Sequence, residues 1–409
     1  MVDILVIGAT GFCGRHAARY VLEHPERSKY TVGLAARSRS KLTSIDLPID
    51  NSVQIFELDI QDEQALEDAV KKSKVVLNCI GPFWHYGTPV VQACARNGIH
   101  YVRLSGIKTH AIIVPSCGVD SIPADASVYL ASKALGHVPL GTSTTSAGLY
   151  GGAPGGTLAS FVAILEDVPT NHLSLSARDW ALSPVPGAPS PRPRLVYSLG
   201  SMRGGLAVFG PINRAFVQRT AGLLELARRR GVNSGPVYGP AFTYTEFTPT
   251  SNVFSAFFYS LALATVFAGL TFIAPVQSNF IISAQFRWLF KRLVTQPGSG
   301  PADHTLENGR LEYVNVTMSD EPVPRYAKTI IKGSGDPGTL LTAEFVGESA
   351  LALLLDELPP LAKEGGVLTP ITAFGDNIIR RLEKSGRFEI TTRIVDGPGG
   401  GIEESRKAR

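Results

Sequence analysis

Three glycines at a three-residue spacing, Gly8, Gly11 and Gly14 in ILVIGATGFCGRHAARYVL, follow a short apolar run and lead straight into a helical stretch. In a strand–turn–helix context the first glycine permits the tight turn, the second lets backbone approach a pyrophosphate, and the third allows close helix–strand packing. The phosphates then rest on the helix N-terminus, where free N–H groups and the dipole favour negative charge. The chemistry implied is dinucleotide binding, with Thr10 and Phe12 inside the loop counted among its contacts. The end of the second strand distinguishes the dinucleotides. LAARSRSKL offers Arg37, Ser38, Arg39 and Lys41 and no acid, which favours a 2′-phosphate and hence NADP(H), a surface charge cluster being the alternative. Asp59 in ELDI stands where the adenine side is expected, although an isolated aspartate also caps turns.

A second loop, NCIGPFWHYG, follows the fourth strand, next to the topological switch where a nicotinamide would lie. Asn78 can hydrogen-bond through its side chain, Gly81 and Pro82 fix a turn, and Phe83, Trp84 and Tyr86 supply apolar walls or, alternatively, core.

These residues require a parallel sheet to position them, and the first part of the chain alternates short β-branched runs with helical stretches as such a sheet demands. Strands are expected at Ile4–Ile7, Tyr30–Ala35, Val53–Leu58 and Val75–Cys79, with helices at Cys13–Glu23, Asp62–Lys72 and Gly87–Asn97. After Gly136 the loops turn Gly/Pro-rich (GLYGGAPGGT, SPVPGAPSPRPR), which marks a second domain. There Pro211–Arg230 and Thr342–Asp356 read as helices, and Leu311–Thr317 and Tyr326–Lys332 as paired strands. Ile371–Lys384 follows as a helix stopped by Gly386, and Phe388–Val395 as an edge strand.

Charged residues make up 18% of the 409 positions against about 25% in an average soluble protein, which points to apolar partners or lipid. A net charge of +4 without a basic, aromatic-interleaved stripe argues against nucleic acid. Neither the four cysteines nor the eight histidines fall at metal-ligand spacing, so no metal is expected, and the cysteine usage fits a reducing compartment. MVDILVIGATG lacks the basic start of a signal peptide, so a cytoplasmic location is expected. One segment stands apart: no charge occurs between Glu246 and Arg287, and Val253–Val276 is long enough for a hydrocarbon core that about 20 residues can cross. Arg287, Trp288, Lys291 and Arg292 then resemble an interfacial anchor. A buried helix or substrate wall, an interfacial segment and a true span all fit.

With VIGATGFCG, NCIGPFWHYGTPVVQAC, HYVRLSG, CGVDSIPAD and GGVLTP in this order, the chain resembles the saccharopine dehydrogenase-like oxidoreductases. Within them it looks most like the enoyl-reductase branch, which includes reductases acting in trans with polyketide synthases. The resemblance implies an α/β fold: an N-terminal Rossmann-type parallel sheet, a second α+β domain, and a C-terminal helix returning to the first. The domains are expected at 1–136 (NADP-binding), 137–360 (substrate) and 361–409 (helix and edge strand returning to the Rossmann domain). Hydride transfer to a polarised C=C or C=N bond also needs a proton source. Asp120 and Ser121 are candidates because they open a helix at the sheet's carboxyl edge, where either could equally be a helix cap; Tyr86 is a weaker donor.

Two departures from the family pattern stand out. Arg103 occupies a position usually held by an acid, and a crossover helix is missing after Ser105-Gly106. The strand-like runs Tyr101–Leu104 and Ala111–Pro115 are separated by six residues, whereas a parallel crossover ordinarily takes about 10–12 or more. A truncation at Gly106–His110 is therefore expected, or else a strained link beside an open groove.

The functional expectation is NADPH-dependent reduction of an enoyl C=C or a C=N bond in an apolar, carrier-bound or membrane-delivered substrate of secondary-metabolite or lipid biosynthesis. A polyketide synthase would be the partner, and a membrane or lipid-droplet surface a further site of association. The alternative is a non-catalytic lipid-surface or scaffold protein retaining a Rossmann body. Saccharopine itself, a highly charged substrate, suits the charge-poor second domain least.

Overall fold

The computed structural model describes residues 1–81, 83–102, 111–119, 121–152, 164, 167–232, 235–272, 300 and 302–399. The chain first lays down β1 (Val2–Ile7), α1 (Phe12–Glu23), β2 (Val32–Ala36), α2 (Arg39–Ser44), β3 (Gln54–Glu57), α3 (Glu63–Lys71) and β4 (Ser73–Asn78). Then come α4 (Phe83–Asn97), β5 (His100–Val102), β6 (Ile112–Val114), α5 (Ile122–Ala134) and β7 (Leu140–Tyr150). The longer elements that follow are β8 (Tyr197–Leu199), β9 (Met202–Leu206), α6 (Gly210–Arg229), β10 (Thr243–Thr250) and α7 (Val253–Phe272). The chain continues with β11 (Arg310–Ser319), β12 (Tyr326–Ser334), α8 (Thr342–Leu355), β13 (Gly366–Val367), α9 (Asp376–Ser385) and β14 (Phe388–Val395).

The first sheet has the order β13-β6-β5-β4-β1-β2-β3 and is parallel throughout, so its first six strands follow the doubly wound order 3-2-1-4-5-6. A parallel sheet must be covered on both faces, and β1 divides its side chains accordingly. Ile4 and Val6 pack with α1 and α8, while Val2, Leu5 and Ile7 pack with α3 and α4. Local sequence supports these elements: Asp62 accepts the Ala65 N–H at 2.9 Å to cap α3, and Gly386, at φ +84°, ends α9.

The second sheet has the order β14-β12-β11-β7-β10-β9-β8. Only β7 and β10 run parallel, and the expected β11–β12 pair is antiparallel from Arg310↔Ser334 to Met318↔Tyr326. The side of this sheet facing α5 mixes apolar Ala147, Tyr313, Ala327 and Ile331 with buried polar groups. The Asn315 amide donates to Ser143 Oγ (2.8 Å) and Thr145 Oγ1 (2.9 Å), and Thr317 Oγ1 donates to Asn315 Oδ1 (2.8 Å), so that band is internally satisfied.

The structure bears on four expectations. β5 and β6 are parallel neighbours, with Tyr101↔Ile113 and Val102↔Val114 in register, despite the short connection. Both strands have only three residues, so the chain must return a short way, and the residues between Val102 and Ile112 can reach about 30 Å when extended. The expected truncation at Gly106–His110, like Arg103, lies outside the described residues. Second, Phe388–Val395 does not return to the Rossmann sheet: it pairs with β12 from Tyr326↔Val395 to Gly333↔Phe388, extending the second sheet at its open edge. Third, Thr342–Leu355, placed by sequence in the substrate domain, packs on α1, β4 and β5, because a helix that buries nearly every residue needs a large apolar face to cover. The expected helix over Ile371–Lys384 is broken at Gly375 (φ +54°) into Pro370–Phe374 and α9.

Among the described residues, the helix long and apolar enough to cross a membrane is Pro337–Leu355, and it is mostly buried in this core. The uncharged segment yields α7, whose inner face lies on β9; residues 273–276 fall outside the described residues.

The C-terminal helix α9 is held on the first unit by a buried ion cluster. Arg381 meets Asp356 through Nε–Oδ2 (2.7 Å) and Nη2–Oδ1 (2.8 Å), and reaches Glu26 and Glu348 at 3.1 Å each. Glu348 also accepts from the Tyr20 hydroxyl (2.6 Å) and lies 3.0 Å from His24 Nε2. Burial alone would raise the Glu348 carboxyl, but the hydrogen bonds from His24 and Tyr20 and the Arg381 guanidinium outweigh it and hold the group below its ordinary range. Stability from this group is therefore present above about pH 4.3, the unfolded-chain value, and is lost as pH falls through the lowered folded value. Arg381→Met is expected to cost about 3–5 kcal/mol near neutral pH, the usual penalty for stranding a buried charge, and less in strong acid. Urea unfolding at the two pH values measures this, and equal losses at both would show that the arginine acts through packing alone.

Candidate functional site

The loops after β1, β4, β5 and β6 all emerge at the carboxyl edge of the parallel sheet, the edge where ligands of such sheets bind. At its centre is the β1–α1 turn. Gly8 has φ +84°, and a Cβ there would lie 2.7 Å from Ile80 Cγ1; a Cβ on Gly14 would lie 2.0 Å from the Gly8 carbonyl oxygen. The Gly11 N–H donates to Gly8 O (2.9 Å), which closes the turn, and no side chain caps α1. The first-turn amides of a twelve-residue helix are thus left to an anionic ligand. These are features a dinucleotide diphosphate requires, and the chain fits the group.

Sequence placed four kinds of residue around this turn. Thr10 is half-exposed beside it. The Phe12 ring is buried against the Gly300 backbone and meets His16 edge-on at 5.5 Å, so it holds α1 rather than facing the turn. Arg37, at the end of β2, is exposed, and none of the described residues engages it, whereas Ser38 caps α2 by accepting the Lys41 N–H at 3.2 Å. Asp59 accepts the Gln61 N–H at 3.0 Å, a local turn bond.

In the β4 loop, Asn78 is buried and uses both ends of its amide: Nδ2 donates to Tyr101 Oη (3.0 Å) and Oδ1 accepts from the Ile80 N–H (3.0 Å). It shapes the loop that packs on Gly8. Gly81 is exposed, whereas Pro82 and the side chains of Phe83 and Trp84 lie outside the described residues. Tyr86 faces a cavity of about 520 Å³ between α3 and α4, among Ile60, Leu66, Gln92 and Arg96.

Asp120 lies outside the described residues. Ser121 stands at the N-cap position of α5, yet its hydroxyl does not cap the helix. It is fully buried, has φ +110°, and donates to Asn213 Oδ1 on α6 at 3.2 Å. Asn213 Nδ2 in turn lies 3.0 Å from both carboxylate oxygens of Glu246 on β10, which also accepts the Tyr244 hydroxyl at 2.8 Å. Burial, with the Glu246 charge added, pushes the Tyr244 phenol well above its ordinary range. Ser121 opens α5, which packs on the second sheet, whereas Tyr86 lies on α4, which packs with α3 against the parallel sheet, and the two are not brought together. Asn213, Tyr244 and Glu246 were missed by sequence reasoning. The available signal was Glu246 itself, an isolated acid bordering the longest uncharged stretch.

One turn further along α5, Asp125 is fully buried and accepts the Ile371 N–H at 3.2 Å, so the IPAD and LTP motifs meet in space. Among the described residues its Oδ1 has no hydrogen-bond partner, and burial pushes its carboxyl up to about 7. A larger cavity, about 900 Å³, lies elsewhere: Arg15, Tyr20, Glu344, Glu348 and Arg381 line it along α1, α8 and α9, so it is not the dinucleotide's place.

Because the folded value of Asp125 exceeds the unfolded one (about 3.9), the contribution of this group to stability is most favourable below pH 4 and falls as pH rises toward about 7, then levels. Asp125→Asn is expected to remove that slope and to stabilise the protein by a few kcal/mol above pH 7. Thermal unfolding across pH 4–8 tests it; an unchanged slope would place the titration elsewhere.

Comparison with known proteins gives a consistent picture. The family described as saccharopine dehydrogenase NADP binding domain matches residues 4–129. A putative trans-acting enoyl reductase of Mycobacterium tuberculosis is 30% identical, the match covering 96% of this chain and 98% of the relative. A trans-acting enoyl reductase of Mycobacterium ulcerans is 27% identical over the same shares. Among solved structures, apo saccharopine dehydrogenase (L-Glu forming) from Saccharomyces cerevisiae aligns over 97% of this chain and 100% of its own, at 13% identity and a TM-score of 0.45.

Proposed function

The chain belongs to the saccharopine dehydrogenase-like oxidoreductases, alongside the trans-acting enoyl reductases, and on that premise we propose that this NADP-dependent enzyme reduces the C=C bond of an enoyl group on an apolar, carrier-presented substrate. The observation that carries the reading is the β1–α1 cradle, where any side chain at Gly14 would displace the Gly8 carbonyl, combined with the unengaged Arg37 at the end of β2.

Bound at this edge, NADPH supplies a hydride to the enoyl β-carbon, and a proton must reach the α-carbon. The uncapped amides of α1 would hold the diphosphate and Arg37 and Ser38 would meet the 2′-phosphate, while Asn78 keeps the β4 loop tight against Gly8. Asp120 and Tyr86 are the candidate proton sources, with Ser121 at the same edge. The relatives named as acting in trans support a separate synthase as the partner that delivers the substrate.

The test is direct. NADPH titration followed by its fluorescence should saturate, Gly14→Ala should abolish the change, and Arg37→Glu should weaken NADPH about tenfold to a hundredfold while sparing NADH, the worth of one charge-assisted contact. No response to either nucleotide would defeat the dinucleotide reading. NADPH consumption with an enoyl thioester then tests the reaction, and inertness toward short and long acyl chains alike would remove the enoyl assignment.

A specific observation favours an added lipid contact. Phe254 and Phe258 on α7 are 77% and 63% exposed, with Phe257 and Leu261 on the same stripe, and the helix holds no charge. Flotation of the full chain with anionic phospholipid vesicles is expected, reduced several-fold by Phe254→Ser with Phe258→Ser while NADPH binding is kept. Unchanged flotation in the double variant would remove α7 from the contact.

A further inference from the structure

We infer that Glu246 is a positioning residue for the reductase site, acting through Asn213 to fix Ser121 and the turn that leads from β6 into α5. The inference rests on the reading above in one respect, that the nicotinamide end of the cofactor lies at this turn.

Hydrogen-bond polarity carries the argument. A carboxylate only accepts, so the amide nitrogen of Asn213 must face Glu246, and it does so at 3.0 Å from both oxygens. The amide oxygen then has to face Ser121, which leaves no freedom to flip the group. Ser121 must donate its hydroxyl proton to that oxygen. The Tyr244 hydroxyl, donating to the same carboxylate, braces Glu246 from its own strand. A directed chain therefore runs from the second sheet to the first unit and ends on the one hydroxyl at the head of α5. Ser121 spends its proton there and is not the proton source for a substrate.

Backbone geometry shows what the chain holds in place. Ser121 occupies φ +110°, a conformation that a side-chain-bearing residue rarely adopts, and its N–H closes a tight turn on Val119 O at 3.0 Å. Such strain persists where surrounding contacts over-determine it, and it gathers at functional sites. The location agrees. With the diphosphate on α1 and the adenosine drawn toward β2 by Arg37, the nicotinamide end points to the β4–β6 side of the carboxyl edge, where this turn emerges. A displaced turn shifts the reacting geometry without touching the groups that set cofactor affinity.

The experiment is a double-mutant cycle on the full-length protein with Glu246→Gln, Ser121→Ala and their combination, read by NADPH Kd, by the emission of bound NADPH as a report on the nicotinamide surroundings, and by NADPH turnover with an enoyl thioester. Glu246→Gln offers Asn213 a donor where it now meets only acceptors. It is expected to leave Kd within about twofold, to change the bound emission, and to lower turnover by about tenfold or more, as small misplacements do. The double variant should be no worse than the single ones, because both break one chain. Asn213→Ser, which cuts the chain at its middle and leaves the Tyr244–Glu246 pair intact, should reproduce the effect if Glu246→Gln does not fold. Independent, multiplying effects, or an emission and turnover unchanged in Glu246→Gln and Asn213→Ser, would overturn the inference. Absence of NADPH binding by the unmodified protein would instead defeat the cofactor reading beneath it.

Discussion

Helix α5 is buried on nearly every side, and much of the architecture follows from that constraint. It connects β6 of the parallel sheet to β7, a central strand of the second sheet, and packs against β11, β12 and α6. Ten of its thirteen residues are buried, including the polar Asp125, Ser127 and Ser132. A helix buried this deeply must look for polar partners within the protein: Asn213 serves Ser121 and the Ile371 amide serves Asp125, while the exposed Lys133 at the far end meets Asp376 and, among the described residues, the Ser132 hydroxyl has no partner. The two sheets are therefore joined through α5, and the carboxyl edge of the first is linked through Ser121 and Asn213 to Glu246 on β10 of the second.

What was legible in the sequence is what depends on neighbours in the chain. The glycine turn, the Asp62 cap, the Gly386 stop and the β11–β12 pairing each follow from a few adjacent residues, and all four stand where they were read. Contacts over long separations were invisible. Ser121 and Asn213 are 92 residues apart, and nothing in either stretch names the other. Likewise, the alternation of Phe388–Val395 states that it is a half-exposed strand but is silent about which sheet has a free edge for it. The apolar content of Thr342–Leu355 foretells burial without saying which sheet it covers.

The site divides along the same line. Gly8 and Gly14 were legible because a tight strand-to-helix turn uses glycine at fixed offsets from one strand. Glu246, Asn213 and Tyr244 were not, because holding a turn in place uses ordinary polar residues whose value lies in their mutual direction. β5 and β6 pair in parallel on either side of a link whose residues 103–110 lie outside the described residues.

The parallel sheet also has an order of completion. Its outermost strand is β13, and the helix covering β4 and β5 is α8, so residues 342–367 finish a structure begun at residue 2. During synthesis, the first six strands emerge with one face covered only in part, by α1, and with the β6 edge unpaired until residues 342–367 have left the ribosome. Contacts of such sequence separation are slow to form, and an uncovered face with a free edge invites association with other chains. The β1–α1 glycine turn, on which Ile80 of the β4 loop packs, is complete once β4 has docked, well before the strand and helix that close the sheet arrive.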